Sequence, residues 1–161
     1  MKGLTILGRD DVPAALAGDH AYTHLISIQG LDRPLECFVA GFKEFTGPKL
    51  ALVFDDISKP WQGYVPPGIT EVNAILDFAR EMDAVEMNLL VHCEAGISRS
   101  TATAFIILCF LLGPGQEQEA FRRVLEAQPR ARPNSLMVEL ADWRLGREGR
   151  MIEATLRKWS S

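Results

Sequence analysis

Cysteine is scarce in this chain: three residues, Cys37, Cys93 and Cys109, among 161. They are too few and too scattered for a disulfide framework, and their odd number points to a reducing compartment. Histidine offers no pattern either. His20, His24 and His92 form no ligand cluster and no Cys/His zinc spacing is present, so nothing calls for a metal or a cofactor. Long apolar runs are missing as well. The most apolar stretch, Ala102 to Leu112, is far shorter than the roughly 20 residues of a bilayer span, and it reads as a helix buried in a core. Met1 to Leu16 carries Lys2, Arg9, Asp10 and Asp11 without the apolar centre of a secretory signal. An excess of positive charge is absent, with a formal net charge of −4, which argues against nucleic acid as a partner. The expectation is a cytoplasmic protein, monomeric, bound to neither membrane nor nucleic acid.

What is present suits one globular domain spanning 1–161, 47% hydrophobic and 24% charged. There is no internal repeat, low-complexity tract or clear linker. Basic residues gather late, from Arg122 and Arg123 through Arg147 and Arg150 to Lys158, interrupted by Glu117, Glu119, Glu126, Glu139 and Glu148. Solvated helix faces are the plainer reading, and an anionic docking surface the sharper one.

Strand-like and helix-like segments alternate, which predicts an α/β fold in three layers. A mostly parallel central sheet of four to five strands would be flanked by helices. Leu4 to Leu7, His24 to Ile28, Leu50 to Phe54 and Asn88 to His92 read as strands, the last central because Leu89, Leu90 and Val91 are all apolar. Val12 to Leu16 reads as a short helix with Asp10 or Asp11 as cap and Pro13 in its first turn. Ile69 to Met82 has helical spacing, and a buried helix runs from Ser98 to Leu112, stopped by Gly113-Pro114-Gly115. Further helices are predicted over Glu117 to Ala127, Ser135 to Leu145 and Arg150 to Trp159. Ser58 to Gly68, rich in proline, glycine and aromatics, is a loop.

The chemistry concentrates in His92-Cys93-Glu94-Ala95-Gly96-Ile97-Ser98-Arg99-Ser100-Thr101, which leaves a buried strand and enters a buried helix. A helix N-terminus presents unpaired N–H groups and partial positive charge. A preceding loop that curls can aim further N–H groups at one point, so Glu94, Ala95, Gly96, Ile97, Ser98 and Arg99 form a candidate phosphate cradle. Cys93 stands at its base. Converging N–H dipoles and the Arg99 charge favour the thiolate, the nucleophilic form. Arg99 follows Cys93 by six residues, a spacing that lets its guanidinium clamp two phosphate oxygens and meet the charge of a transferring phosphoryl group. Gly96 permits a backbone that other residues resist. Ser98 and Ser100 can reach loop backbone or sulfur, with Ser100 the candidate for stabilising the leaving thiolate. His92 supports the loop and the thiol's ionisation rather than acting as a base. Cys37 and Cys109 read as buried structural cysteines.

His92-Cys93, five residues, then Arg99-Ser100 resembles the signature loop of the protein tyrosine phosphatase superfamily. Ala95-Gly96-Ile97-Ser98-Arg99-Ser100 looks most like the dual-specificity branch, as does Pro133-Asn134 before a helix. Phe54-Asp55-Asp56-Ile57, with Asn134 and Asp142, is similar to small bacterial predicted tyrosine phosphatases. The resemblance covers roughly Leu50 to Leu145. It implies a phosphotyrosine phosphatase-like fold and two-step hydrolysis through a cysteinyl-phosphate. An aspartate protonates the leaving oxygen and then activates water, which suits the poor leaving ability of an unprotonated alkoxide or phenoxide.

Asp55 and Asp56 precede Cys93 by 38 and 37 residues, at the end of a strong strand. Adjacent strand residues point to opposite sides, so one of them faces the pocket. Asp56 is the first choice and Asp55 the reserve. Adjacent carboxylates can raise one another's pKa, and capping of the following turn is the plainer alternative for both. Asp77 and Asp83 fit less well, in or just beyond a helix. Trp61 and Tyr64 could flank the pocket or pack their own loop. Asn134 could brace the signature loop, cap the next helix, or do both.

The leading expectation is a phosphatase for phosphotyrosine in a protein or peptide, with phosphoserine and phosphothreonine as further substrates. Glu94 and Ala95 make the loop less basic than those of relatives that bind polyphosphorylated lipids or nucleotides. The alternative is a catalytically weak or inactive phosphate-dependent binding module. Sulfur transfer or arsenate reduction would need a donor thiol or resolving cysteine that neither Cys37 nor Cys109 supplies on sequence grounds.

Overall fold

The computed structural model describes residues 1–34 and 38–156. Four strands, β1 (Gly3–Gly8), β2 (His24–Gln29), β3 (Lys49–Val53) and β4 (Asn88–Cys93), form a sheet in the order β1-β4-β2-β3. All three pairings are parallel. Six α-helices complete the architecture: α1 (Val12–Ala17), α2 (Ile69–Arg80), α3 (Arg99–Leu112), α4 (Glu117–Ala127), α5 (Ser135–Leu145) and α6 (Arg150–Leu156). Helices on both faces make this the three-layer α/β fold expected for a parallel sheet.

The layers are unequal. Leu89, Val91 and Cys93 of β4 point into the larger core with Ile26 and Ile28 of β2, against α2 to α6. Leu90 of β4 and Leu25 of β2 point to the smaller one, with Val12, Val39 and Phe42. Strand alternation thus sends Cys93 to the side where α3 begins and sets its neighbour His92 on the other. Helix α3 is the hub of the larger layer: Arg99 through Cys109 are all buried, which is why its sequence is apolar all round.

Several boundaries differ from the sequence reading for identifiable reasons. Strand β3 stops at Val53, because the carbonyl of Phe54 is turned to Arg99 Nη1 at 2.8 Å instead of continuing the ladder. Ser98 stands at the N-cap of α3 rather than inside it. Helix α2 ends at Arg80, although Met82 is still buried beyond it. A 3₁₀ turn over Arg9–Asp11 precedes α1, and Asp11 sits at the cap without a side-chain cap bond. Helix α6 is described to Leu156; Arg157, Lys158, Trp159 and Cys37 lie outside the described residues. No helix among the described residues is long and apolar enough to cross a membrane.

The late basic cluster is neither uniformly solvated nor a free cationic face. Arg147 and Glu117 are buried together, with Arg147 Nη1 donating to Glu117 Oε1 at 2.9 Å and Nη2 to the Cys109 carbonyl at 2.9 Å. Arg122 and Arg123 both pair with Glu119 on α4. Asp142, buried at 5% exposure, caps α6 by accepting from Gly149 and Met151 N–H at 2.7 and 3.0 Å.

Candidate active site

The loop from Glu94 to Ser98 joins the end of β4 to the start of α3, and its carbonyls are tied outward. Glu94 O accepts from Arg9 N–H at 3.0 Å, Ile97 O from Arg132 N–H at 2.9 Å, and Ser98 O from Asn134 N–H at 3.3 Å. Thr101 Oγ1 also donates to the carbonyls of Ile97 and Ser98. All peptides among the described residues are trans, so each outward carbonyl turns the N–H of the next residue inward. The N–H groups of Ala95, Ser98 and Arg99 therefore face the loop interior, the arrangement an oxyanion needs.

Gly8 and Gly96 let the loop lie against β1; a Cβ at Gly8 would stand 3.3 Å from the Glu94 carbonyl oxygen. Gly96 has φ of +72°, and a Cβ built there would come within 2.5 Å of Gly8 N and Leu7 C. A side chain at Gly96 is excluded both by backbone conformation and by space.

Cys93 is at the base, 2% exposed. Its Sγ accepts from the Gly96 N–H at 3.3 Å and lies 3.1 Å from Ser100 Oγ. An ionised sulfur would accept both bonds. Arg99 is 6% exposed; Nη1 is anchored on Phe54 O, while Nε has no partner among the described residues. A buried guanidinium with an unused donor is costly unless a ligand completes it. It lines a cavity of about 340 Å³ together with Asp32, Asp55, Asp56, Tyr64 and Glu94. Larger hollows of about 440 Å³ occur elsewhere, one between α1 and residues 40–46, but none of the site residues lines them.

The two adjacent aspartates diverge. Asp55 accepts the N–H of Leu31 at 3.2 Å and of Val65 at 2.8 Å, pinning two loops together. Asp56 Oδ1 accepts from Ser98 Oγ at 2.7 Å and from Asn134 Nδ2 at 3.0 Å. Both donors meet one oxygen, and among the described residues Oδ2 has no hydrogen-bond donor. Ser98 thus bonds Asp56 rather than the sulfur, a correction to one of the uses foreseen for it. Asn134 serves both foreseen purposes: its Oδ1 caps α5 by accepting from Met137 N–H at 3.2 Å, and its backbone holds Ser98.

Glu94 turns its side chain away from the loop interior to a bidentate pair with Arg33, whose hydrogen bond holds the Glu94 carboxyl below its ordinary pKa. Arg33, 61 residues away, carried no local signal in the sequence. His92 is fully buried; its Nδ1 lies 3.4 Å from the Cys93 carbonyl, and burial lowers its pKa to about 4. It is therefore neutral at physiological pH. Tyr64 lines the cavity, whereas Trp61 stands outside that lining at 71% exposure. Cys109 is buried in α3, and burial pushes its thiol pKa up.

No protein-family model matches the chain, and no curated protein matches it. Solved structures do. A human tyrosine phosphatase-like serine/threonine/tyrosine-interacting protein is 22% identical, with 89% of this chain and 91% of that one covered at a TM-score of 0.67. Human DUSP28 is 18% identical, with coverage of 89% and 88% and a TM-score of 0.64. PTPMT1, in complex with PI(5)P, is 15% identical, with coverage of 98% and 96% and a TM-score of 0.61. The chain has the fold of the dual-specificity-like protein tyrosine phosphatases.

Proposed function

We propose that this chain is a cysteine-dependent phosphatase of phosphotyrosine-type monoesters. One observation carries the reading: a sulfur at a strand end accepts from Gly96 N–H and faces the Ser100 hydroxyl, beside a buried arginine with an unused donor. Inward N–H groups and the Arg99 fork bind the phosphate oxygens. The Cys93 thiolate attacks phosphorus; the S–P bond forms as the bond from phosphorus to the leaving oxygen breaks, and Asp56 delivers a proton to that oxygen. The same carboxylate then takes a proton from water, which attacks the cysteinyl-phosphate. The S–P bond breaks, and Ser100 stabilises the returning thiolate. Two donors on Oδ1 leave Oδ2 of Asp56 to carry the proton. His92, neutral, serves as loop support.

Tyr64 offers a ring surface at the cavity wall, which favours an aryl phosphate; phosphoserine and phosphothreonine are secondary substrates. The PI(5)P bound by PTPMT1 suggests a lipid headgroup as a rival. Its additional anionic groups would meet Asp32, Asp55 and Glu94 here, which weighs against it. Dependence on a free thiol and the scarcity of cysteine favour a reducing, cytoplasmic setting.

Likeness to a protein described as phosphatase-like and interacting favours one second reading, a phosphopeptide-binding module. Turnover of an aryl phosphate separates the two. Wild type should hydrolyse it without added metal and be inhibited by vanadate, and Cys93→Ser should be inert. Wild type that binds phosphopeptide without turnover supports the binding module. Hydrolysis that survives Cys93→Ser overturns both.

A further inference from the structure

The mouth of the cavity carries a charge and an apolar surface that the phosphate chemistry does not use. Four carboxylates, from Asp32, Asp55, Asp56 and Glu94, line it against the single guanidinium of Arg99. Arg33 offsets Glu94 from the side. Asp32 and Asp55 are crowded: a Cβ at Gly30 would lie 2.6 Å from an oxygen of one and 3.0 Å from an oxygen of the other. Asp32 is exposed. Next to these carboxylates lie apolar side chains turned to solvent, with Leu31, Tyr64 and Val65 exposed at 50%, 54% and 48%. They are neighbours in space, because the Asp55 carboxylate accepts the N–H of both Leu31 and Val65.

We infer that this mouth selects phosphotyrosine in segments whose neighbouring residues are apolar or basic and rejects segments with acidic neighbours. The inference rests on the reading of this cavity as the phosphomonoester site. Its occupant is one phosphotyrosyl peptide, for two reasons. The apolar rim is continuous with the cavity at Tyr64, so a chain that inserts its ring must lay adjacent residues across Leu31 and Val65. The phosphate is met at the base by Arg99 and the inward N–H groups, whereas any second anion of the substrate meets Asp32 and Asp55 at the entrance. Like charges brought together at a partly desolvated mouth discriminate against that substrate. A substrate lysine or arginine finds the opposite field.

Three phosphotyrosyl peptides of equal length test this, with leucine and valine, lysine and arginine, or aspartate and glutamate flanking the phosphotyrosine. Their kcat/KM values are compared with that of a small aryl phosphate at low and moderate salt. The basic and apolar peptides should exceed the acidic one by about tenfold or more at low salt, with the basic-to-acidic ratio shrinking as salt screens the mouth. Asp32→Asn should narrow the basic-to-acidic ratio, and Leu31→Ser should lower turnover of the apolar peptide relative to the aryl phosphate. Equal or better turnover of the acidic peptide overturns the inference, as does a ratio that ignores both salt and Asp32→Asn. Dissociation constants of the same peptides on Cys93→Ser read the preference without chemistry. Absent turnover with flank-dependent binding therefore rejects the phosphatase reading alone, and turnover with flank-independent binding rejects this inference alone.

Discussion

The Ser98 hydroxyl donates to Asp56 Oδ1 at 2.7 Å, so the loop proposed to cradle phosphate also holds the candidate acid. Asn134 donates to the same oxygen from the N-cap of α5. Asp55, one residue earlier, spends its oxygens on two backbone N–H groups. The two carboxylates should therefore fail differently. Asp56→Asn should slow hydrolysis of an aryl phosphate with a poor leaving group by about a hundredfold or more, while sparing an activated one. Asp55→Asn should slow both alike and lower the melting temperature, because a loop tie is lost. Kinetics across a leaving-group series read the slope, and a steep slope in Asp55→Asn with a flat one in Asp56→Asn would reverse the assignment.

Ser98→Ala sharpens the same test. It removes one of two donors to Oδ1, which stabilise the ionised carboxylate. Turnover of an aryl phosphate with a poor leaving group should fall, by less than in Asp56→Asn, while an activated one is spared. Unchanged kinetics across the leaving-group series would mean that the bond to Ser98 has no bearing on proton transfer.

Much of this site was legible because its central segment is contiguous. Positions 92–101 hold sulfur, glycine, arginine and serine in one strand–loop–helix passage, and hydropathy alone placed that passage between β4 and α3. The boundaries of α4 and α5 were equally plain, since Gly113-Pro114-Gly115 and Pro133-Asn134 punctuate them. Hydropathy says which face of an element is buried, but not which distant residue meets it. So the bond from Asn134 to Asp56 across 78 residues, the Arg33–Glu94 pair and the approach of Gly96 to β1 had no signal to read. Arg147 looked like surface charge for the same reason: its partner Glu117 lies 30 residues away, at the start of α4.

Gly96 gives a stability prediction with a geometric cause. Alanine there must tolerate φ of +72° and place its methyl against the backbone of Leu7 and Gly8. Backbone cannot yield as a side chain end can. Gly96→Ala should lose about 2–4 kcal/mol in urea unfolding. Phosphate or vanadate binding should weaken too, because the N–H that meets Cys93 Sγ is displaced. Unchanged stability with full anion binding would show that β1 moves aside.

His92 sets a pH dependence of folding. Its pKa is lowered to about 4 in the folded chain, first by burial, against an ordinary value near 6.5 in the unfolded chain. Between those values the unfolded state binds the additional proton, so stability rises with pH across that window. It should fall by on the order of 3 kcal/mol as pH drops from about 6.5 to about 4, and level off below. His92→Asn should flatten that part of the curve, measured by denaturant unfolding at a series of pH values. A slope that persists unchanged in the variant would assign the titration to another group.

The Arg147–Glu117 pair predicts a loss of stability separable from catalysis. Arg147 reaches the Cys109 carbonyl near the end of α3 and Glu117 in the first turn of α4, and so closes the turn between the two helices. Both side chains are about 5% exposed. Arg147→Met would strand a buried carboxylate and should cost about 3–5 kcal/mol, whereas Arg147→Met with Glu117→Gln should recover much of that loss. Because the pair touches neither the Glu94–Ser98 loop nor Asp56, kcat/KM of the folded fraction should stay within about twofold of wild type. If the double variant is no more stable than the single one, the cost comes from lost packing around the guanidinium stem rather than from an uncompensated charge. Denaturant titrations of the three proteins at one pH decide between the two.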